Sequence, residues 1–207
     1  MKEGLYAITP NNLKQDELLE KIEVILNFGV KLIQYRDKEL VKNEFAIKAA
    51  AIKDLTEKYK AKLIINDYLD VCLEINADGF HLGIEDYNLK KTKEMMQKNK
   101  DFINQKLITG LSCSANKRLI ESPPEDIISW TYLAVGSFFK TNTKKGKALI
   151  ETKDRERFLK MTKKPLVAIG GIRQENIGEL KKLGYKTFAV SEAVFEQNPG
   201  TFLEKHS

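Results

Sequence analysis

The sequence predicts a closed (β/α)8 barrel, the TIM-type α/β fold, as a single domain over residues 1–207. Three observations carry that expectation. Eight short apolar runs recur along the chain, and most are continuous rather than alternating, as strands covered on both faces are. Helical stripes lie between successive runs. No Pro/Gly-rich linker interrupts the 207 residues, a length that suits one sizeable domain. Strands alternating with helices imply a parallel sheet, and eight such units imply closure. An open doubly wound sheet is the runner-up. Its first strand should lead into a GxGxxG turn, whereas here it leads into Thr9-Pro10-Asn11-Asn12.

The first strand is expected over residues 5–9. Leu18, Ile22 and Ile25 then form a helical stripe closed by Gly29, a residue suited to the position just past a helix end. The second strand, 31–36, precedes Phe45, Ala49, Ile52, Leu55 and Tyr59, which recur at steps of 4, 3, 3 and 4. The third and fourth strands, 62–67 and 79–83, leave room only for a short helix over 68–75. Residues 87–105 are Lys-rich and weakly patterned, and an exposed helix with a surface extension is expected there. Strands over 107–113, 131–138, 165–171 and 187–192 complete the set. Ile177, Leu180 and Leu183 stripe a helix closed by Gly184 before the last strand.

In such a barrel the chemistry gathers at the C-terminal ends of the strands. Past the second strand, alternation puts Gln34, Arg36 and Lys38 on one side, with Tyr35 and Asp37 between them. An amide, a guanidinium and an ammonium together suit a phosphate-rich anion. An ion pair with Asp37 or Glu39 is an equal alternative. Past the third and fourth strands stand Asn66, Asp67 and Asp86. Neighbouring strands lie about 5 Å apart, so the two carboxylates can meet. With the amide nearby they form a hard oxygen site suited to Mg2+, or a general acid/base pair without metal. Asp67 could instead cap the following helix. His81, inside an apolar strand, reads as a satisfied core histidine. Ser112 offers a hydroxyl with no evident base, since His81 and His206 are the two histidines of the chain. After the sixth strand, Thr141, Asn142, Thr143 and Lys144 form either an anion contact or a polar loop. After the seventh and eighth come Gly170-Gly171 and Val190-Ser191. Paired glycines opening a helix let backbone N–H groups approach a phosphate, at the place where this fold usually binds one. The rim therefore offers two anion sites, fit to hold two phosphorylated molecules face to face.

Composition narrows the alternatives. The 35 Lys+Arg against 29 Asp+Glu give +6, but the lysines are interleaved with acids and no aromatic–basic stripe appears. Solvated helix faces account for that charge better than nucleic acid does. An apolar fraction of 42% suits a buried core. No apolar run approaches the roughly 18–20 residues of a membrane helix. The start, MKEGLYAITP, enters a strand-like segment directly, so no secretory signal is expected. Cys72 and Cys113 lie in apolar segments without a CxxC spacing, as buried thiols in a reducing cytoplasm do.

The series QYRDK, LIINDY, HLGIED, GLSC, GSFFKTNTK, AIGGI and AVSEAVF, in this order across residues 5–195, resembles the thiamine-phosphate synthase family. The resemblance implies a cytoplasmic transferase that joins a hydroxymethylpyrimidine pyrophosphate to a hydroxyethylthiazole phosphate and releases pyrophosphate. It implies that Gln34, Tyr35, Arg36, Asp37, Lys38, Asn66, Ser112 and Lys144 bind the pyrimidine pyrophosphate. Asp67 and Asp86 would hold Mg2+ as cofactor, and Thr141, Asn142, Thr143, Gly171, Val190 and Ser191 would hold the thiazole phosphate. Arg36, Lys38, Ser112 and Lys144 would carry catalysis of a dissociative substitution. The partners implied are small molecules, with no nucleic acid and no membrane; a homo-oligomer is left open. A thiazole tautomerase on the same barrel is the nearest rival. It would need neither the two aspartates nor the Gln-x-Arg-x-Lys trio, and it would use a histidine where this chain reads Ser112-Cys113-Ser114-Ala115-Asn116. A non-catalytic barrel that binds a thiamine precursor is the rival from another class.

Overall fold

Among the described residues, eight parallel strands pair in sequence order and the last pairs with the first, closing a barrel. The computed structural model describes residues 3–141, 148–195 and 199–206. The strands are β1 Gly4–Ile8, β2 Leu32–Tyr35, β3 Lys62–Asn66, β4 Gly79–Gly83, β5 Ile108–Ser114, β6 Tyr132–Val135, β7 Leu166–Ile169 and β8 Thr187–Val190. Six of them stop earlier than the apolar runs suggest, and β6, β7 and β8 do so by two or three residues. Past β6 the chain turns inward, and the N–H groups of Phe138 and Phe139 donate to the carbonyls of Ile169 and Gly170. That turn builds the rim instead of lengthening the sheet. β5 runs one residue further than expected, through an irregularity between Ser112 and Ser114.

The helices are α1 Gln15–Asn27, α2 Lys42–Lys58, α3 Leu69–Glu74, α4 Ile84–Asn88, α5 Lys90–Lys98, α6 Lys100–Lys106, α7 Lys117–Glu121, α8 Thr152–Met161, α9 Ile177–Leu183, α10 Glu192–Phe195 and α11 Gly200–His206. The expected stripes are the buried ones: Leu18, Ile22 and Ile25 in α1, and Phe45, Ala49 and Ile52 in α2. The segment after β4 departs from expectation. Instead of one exposed helix it forms α4, α5 and α6, with Met96 and Ile103 fully buried. Asn99 ends α5, since its N–H and its side-chain amide both donate to Met95 O. The redirected chain can then return an apolar side chain to the core.

Alternation along each strand sorts the side chains into two cores. Ala7, Ile33, Tyr35, Ile65, Phe80 and Leu133 join the layer between barrel and helices. Tyr6, Ile8, Leu32, Ile64, Tyr132, Ala134, Val167 and Ala189 fill the barrel itself. A polar chain crosses that interior. Gln34 Nε2 donates to Tyr6 Oη (2.7 Å), Tyr6 and Tyr132 share a hydrogen bond of 2.8 Å, and His81 Nδ1 lies 3.0 Å from Tyr132 Oη. Burial pushes both phenols far above their ordinary range, so they remain protonated. Cys72 and Cys113 are free and buried, and burial pushes each thiol up to about 12. Among the described residues no helix is long and apolar enough to cross a membrane.

The interior leaves no room at Gly110 on β5. A methyl group there would stand 2.2 Å from Tyr132 Cζ and 2.6 Å from His81 Nδ1. Both rings sit inside a closed cylinder, so Gly110→Ala should cost about 1–3 kcal/mol by overpacking. The expected result is a lower urea midpoint with an unchanged slope. An unchanged midpoint would mean the interior has slack.

Candidate active site

The C-terminal ends of the strands surround a cavity. Its first wall is a clamp between the loops after β1 and β2. Thr9 Oγ1 donates to Arg36 O and accepts from Arg36 N, both at 2.9 Å. Asn11 Oδ1 accepts from Arg36 Nη1 at 2.9 Å and from Lys38 N at 3.4 Å. Thr-Pro-Asn-Asn, which on sequence grounds only excluded a dinucleotide fold, is thus the brace of the Arg36 loop. Arg36 is 9% exposed, and its Nε has no hydrogen-bond partner among the described residues. Burial pulls its pKa down, while the nearby Asp67, Asp37 and Glu39 oppose that shift.

The five residues of the QYRDK motif do different things. Gln34 and Arg36 line the cavity. Tyr35, expected among the substrate contacts, faces the other way: it is fully buried and its ring stacks on Phe45 of α2 at 4.3 Å. Its place between two inward residues requires this, because neighbours along a strand face opposite sides. Asp37, also expected to touch substrate, turns its carboxylate to the N–H groups of Asn12 (3.2 Å) and Glu39 (3.1 Å) and shapes the loop. Lys38 reaches across to Asp67, Nζ to Oδ2 2.9 Å. Glu39 is taken instead by the amides of Asn11 and Asn12.

A second cavity adjoins the first through Asn66, which lines both, and is lined by Asp37, Lys38, Asp67 and Asp86. Asp67 follows β3 with φ +65°, a left-handed conformation that Asp tolerates better than most residues. The alternative role of Asp67 as a cap is not taken up, since α3 has no side-chain cap, whereas Asp86 braces the start of α4, its Oδ2 accepting from Gly83 N at 3.3 Å. Desolvation raises the pKa of Asp86, the charge of Asp67 raises it further, and Lys38 opposes. Two carboxylates that repel each other at a cavity wall fit a divalent cation. Among the described residues no cluster of three or more His, Cys, Asp or Glu could hold a metal. A two-carboxylate site suits Mg2+, which keeps waters and is completed by substrate phosphates.

Opposite lies the Gly170-Gly171 turn after β7, with φ of +102° and +62°. A side chain at Gly170 would strike Ser137 Oγ at 2.2 Å, and one at Gly171 would strike the Lys140 carbonyl at 2.3 Å. Glycine here lets the loops after β6 and β7 touch. The pair does not open a helix, as the sequence suggests, because α9 begins only at Ile177. Asn176 spans the gap, donating to Gly171 O and accepting from Arg173 N, both at 2.8 Å. Val190 and Ser191 line the cavity at the end of β8, and Ser112 lines it from β5. Thr141 also lines it, and its Oγ1 lies 3.4 Å from Glu192 Oε1. Asn142, Thr143 and Lys144 lie outside the described residues. His81 is buried and bonded to Tyr132 as expected, yet it also reaches the cavity. Tyr6, Asn11, Ser114, Arg173 and Glu192 were not singled out in the sequence. Tyr6 shares a face of β1 with Ile8, which pairs with Gln34, so strand register is needed to find it; Asn11, Arg173 and Glu192 depend on contacts between distant loops.

A family description, thiamine monophosphate synthase, matches residues 5–194. The chain is similar to the thiamine-phosphate synthase of Methanobrevibacter smithii, 35% identical over 197 residues, which are 95% of this chain and 90% of that protein. It is 34% identical to the thiamine-phosphate synthase of Clostridium acetobutylicum over 92% of this chain and 86% of that one. Among solved structures, the thiamine phosphate pyrophosphorylase of Pyrococcus furiosus superposes with a TM-score of 0.78 at 30% identity, covering 98% of this chain and 92% of that one.

The raised pKa of Asp86 has a sign that can be tested. The native state holds this proton at a pH where the unfolded chain has lost it, so the group disfavours folding as pH rises through its native pKa. Asp86→Asn keeps an oxygen for Gly83 N and removes the charge. With EDTA present, the variant should be at least as stable to urea as the parent at about pH 7, and the difference should shrink as pH falls and the parent protonates. A variant clearly less stable at neutral pH would mean that attraction to Lys38 outweighs repulsion from Asp67.

Proposed function

The chain belongs to the thiamine monophosphate synthase family, and from that premise we propose that its barrel mouth condenses hydroxymethylpyrimidine pyrophosphate with hydroxyethylthiazole phosphate. The products are thiamine phosphate and pyrophosphate. The observation that carries the reading is Arg36, a buried cation on the wall of a cavity that continues through Asn66 to paired carboxylates. Such a mouth asks for an anion rich in oxygens.

In this reading Gln34 meets the pyrimidine. Its Nε2 donates to Tyr6, so its carbonyl oxygen is left to accept from an amino group. Asp67 and Asp86 hold Mg2+, which supplies neutralisation of the pyrophosphate charge. Arg36 and Lys38 bind the same oxygens, joined by Ser112 and by Lys144 from the loop after β6. The bond from the pyrimidine methylene to pyrophosphate breaks with its electron pair leaving on oxygen. Positive charge develops on the methylene, and the thiazole nitrogen donates its lone pair to form the new C–N bond. Thr141, Asn142, Thr143, Gly171, Val190 and Ser191 hold the thiazole phosphate so that this nitrogen lies in line. No proton moves in either step, so positioning and charge stabilisation carry the rate. That suits a cavity whose one histidine among the described residues is already engaged by Tyr132. The substrates are small molecules, and the free, high-pKa thiols of Cys72 and Cys113 suit a reducing cytoplasm.

Pyrophosphate release on mixing both precursors with Mg2+ tests the proposal. Release should be abolished by EDTA and lowered at least about 100-fold by Asp67→Ala. Release indifferent to both would keep the reaction and remove the metal assignment. No release, with thiazole phosphate still bound, would favour a tautomerase or a sensor.

A further inference from the structure

Glu192 and Arg173 form an ion pair on the wall of the first cavity, beside the residues proposed to grip the thiazole phosphate. Arg173 Nη2 lies 2.5 Å from Glu192 Oε2, with the side chains 36% and 24% exposed. Arg173 stands two residues past Gly171, and Glu192 directly follows Ser191. The other carboxylate oxygen of Glu192 faces Thr141 Oγ1 at 3.4 Å. One carboxylate thus ties together the loops after β6, β7 and β8, and all three residues line the cavity with Gly171 and Ser191. Asn176 holds the backbone on both sides of Ile172, fixing where Arg173 leaves the main chain.

A phosphate beside Gly171 and Ser191 would need donors of the type that Glu192 already occupies, an Arg guanidinium and a Thr hydroxyl. It would also meet the carboxylate as a like charge. From this we infer that Arg173 is a specificity-determining ligand of the substrate phosphate and that Glu192 is a built-in competitor for it. The inference rests on the proposed thiazole phosphate site. Arg173 and Thr141 exchange the carboxylate for the phosphate on binding, and Glu192 takes them back when the product, which carries the same phosphate, departs. Glu192 therefore moderates affinity and limits product retention.

The test is equilibrium binding of hydroxyethylthiazole phosphate, of inorganic phosphate and of the unphosphorylated thiazole alcohol to the full chain. Glu192→Gln should bind both phosphates about 3- to 5-fold more tightly, the scale of a half-exposed ion pair. Arg173→Met should bind them about 10- to 100-fold more weakly, as loss of a charge-assisted hydrogen bond does. The double variant should bind more tightly than Arg173→Met alone, because the uncompensated carboxylate is gone. Affinity for the alcohol should not change in any variant. If Glu192 only positions Arg173, Glu192→Gln will weaken phosphate binding and the double variant will match Arg173→Met, which would overturn the inference. A parent protein that binds phosphate ester and alcohol equally would overturn the proposed phosphate grip itself.

Discussion

The arrangement of the mouth follows from one buried cation. Taking a guanidinium out of water costs several kcal/mol, normally offset by a carboxylate in direct contact. Arg36 has no such contact among the described residues. Its Nη1 donates to the neutral Asn11, while Asp37 is bound to backbone N–H groups and Asp67 to Lys38. The protein therefore keeps a desolvated positive charge inside a cavity and holds its backbone from both sides with the Thr9 hydroxyl. Field lines that water would screen outside act here at low dielectric, which is what a polyanionic ligand and an anionic leaving group require.

The rest of the site is placed relative to that charge. The chain Gln34–Tyr6–Tyr132–His81 lies within the barrel among β1, β2, β4 and β6. It fixes Gln34 next to Arg36 and uses the hydrogen-bonding capacity of His81. The acid pair of Asp67 and Asp86 lies past the ends of β3 and β4, in the adjoining cavity, where the lysine of the same QYRDK loop partly compensates it. Across the mouth, the glycine turn after β7 lets the β6 loop come close enough for Thr141, Arg173 and Glu192 to meet. The two ends of the cavity thus carry different chemistry. One holds paired carboxylates beside a lysine, and the other an arginine–glutamate pair beside a glycine turn.

What could be read in the sequence followed from periodicity. Continuous apolar runs and intervening stripes revealed the closed barrel, and Gly29 and Gly184 adopt the positive φ expected just past helix ends. Alternation correctly separated Gln34 and Arg36 from their neighbours. The same rule should have removed Tyr35 from the substrate contacts; motif resemblance had kept it there. Asp37 lines the second cavity and also binds the N–H groups of Asn12 and Glu39, a turn role that leaves no period in the sequence. The segment after β4 was misread because Met96 and Ile103 are single anchors separated by a helix break, too sparse to form a stripe. Asp67 does not cap α3, because its backbone takes a left-handed φ that composition does not reveal, whereas an N-cap residue is extended. Asn11, Arg173 and Glu192 were out of reach for a simpler reason: their partners belong to other loops, and only closure of the barrel brings them together.

On this reading Arg36 is a desolvated cation kept for an anionic ligand rather than a brace for the fold. Urea unfolding of the parent and of Arg36→Met, each with and without magnesium pyrophosphate, tests it directly. The account predicts that Arg36→Met is at least as stable as the parent when no pyrophosphate is present, as buried charges replaced by apolar residues often are. It further predicts that ligand at about 100 times its Kd stabilises the parent by about 2.7 kcal/mol while barely moving the variant. A variant that unfolds far more easily on its own, and that pyrophosphate stabilises as much as the parent, would contradict the account and make Arg36 a structural residue.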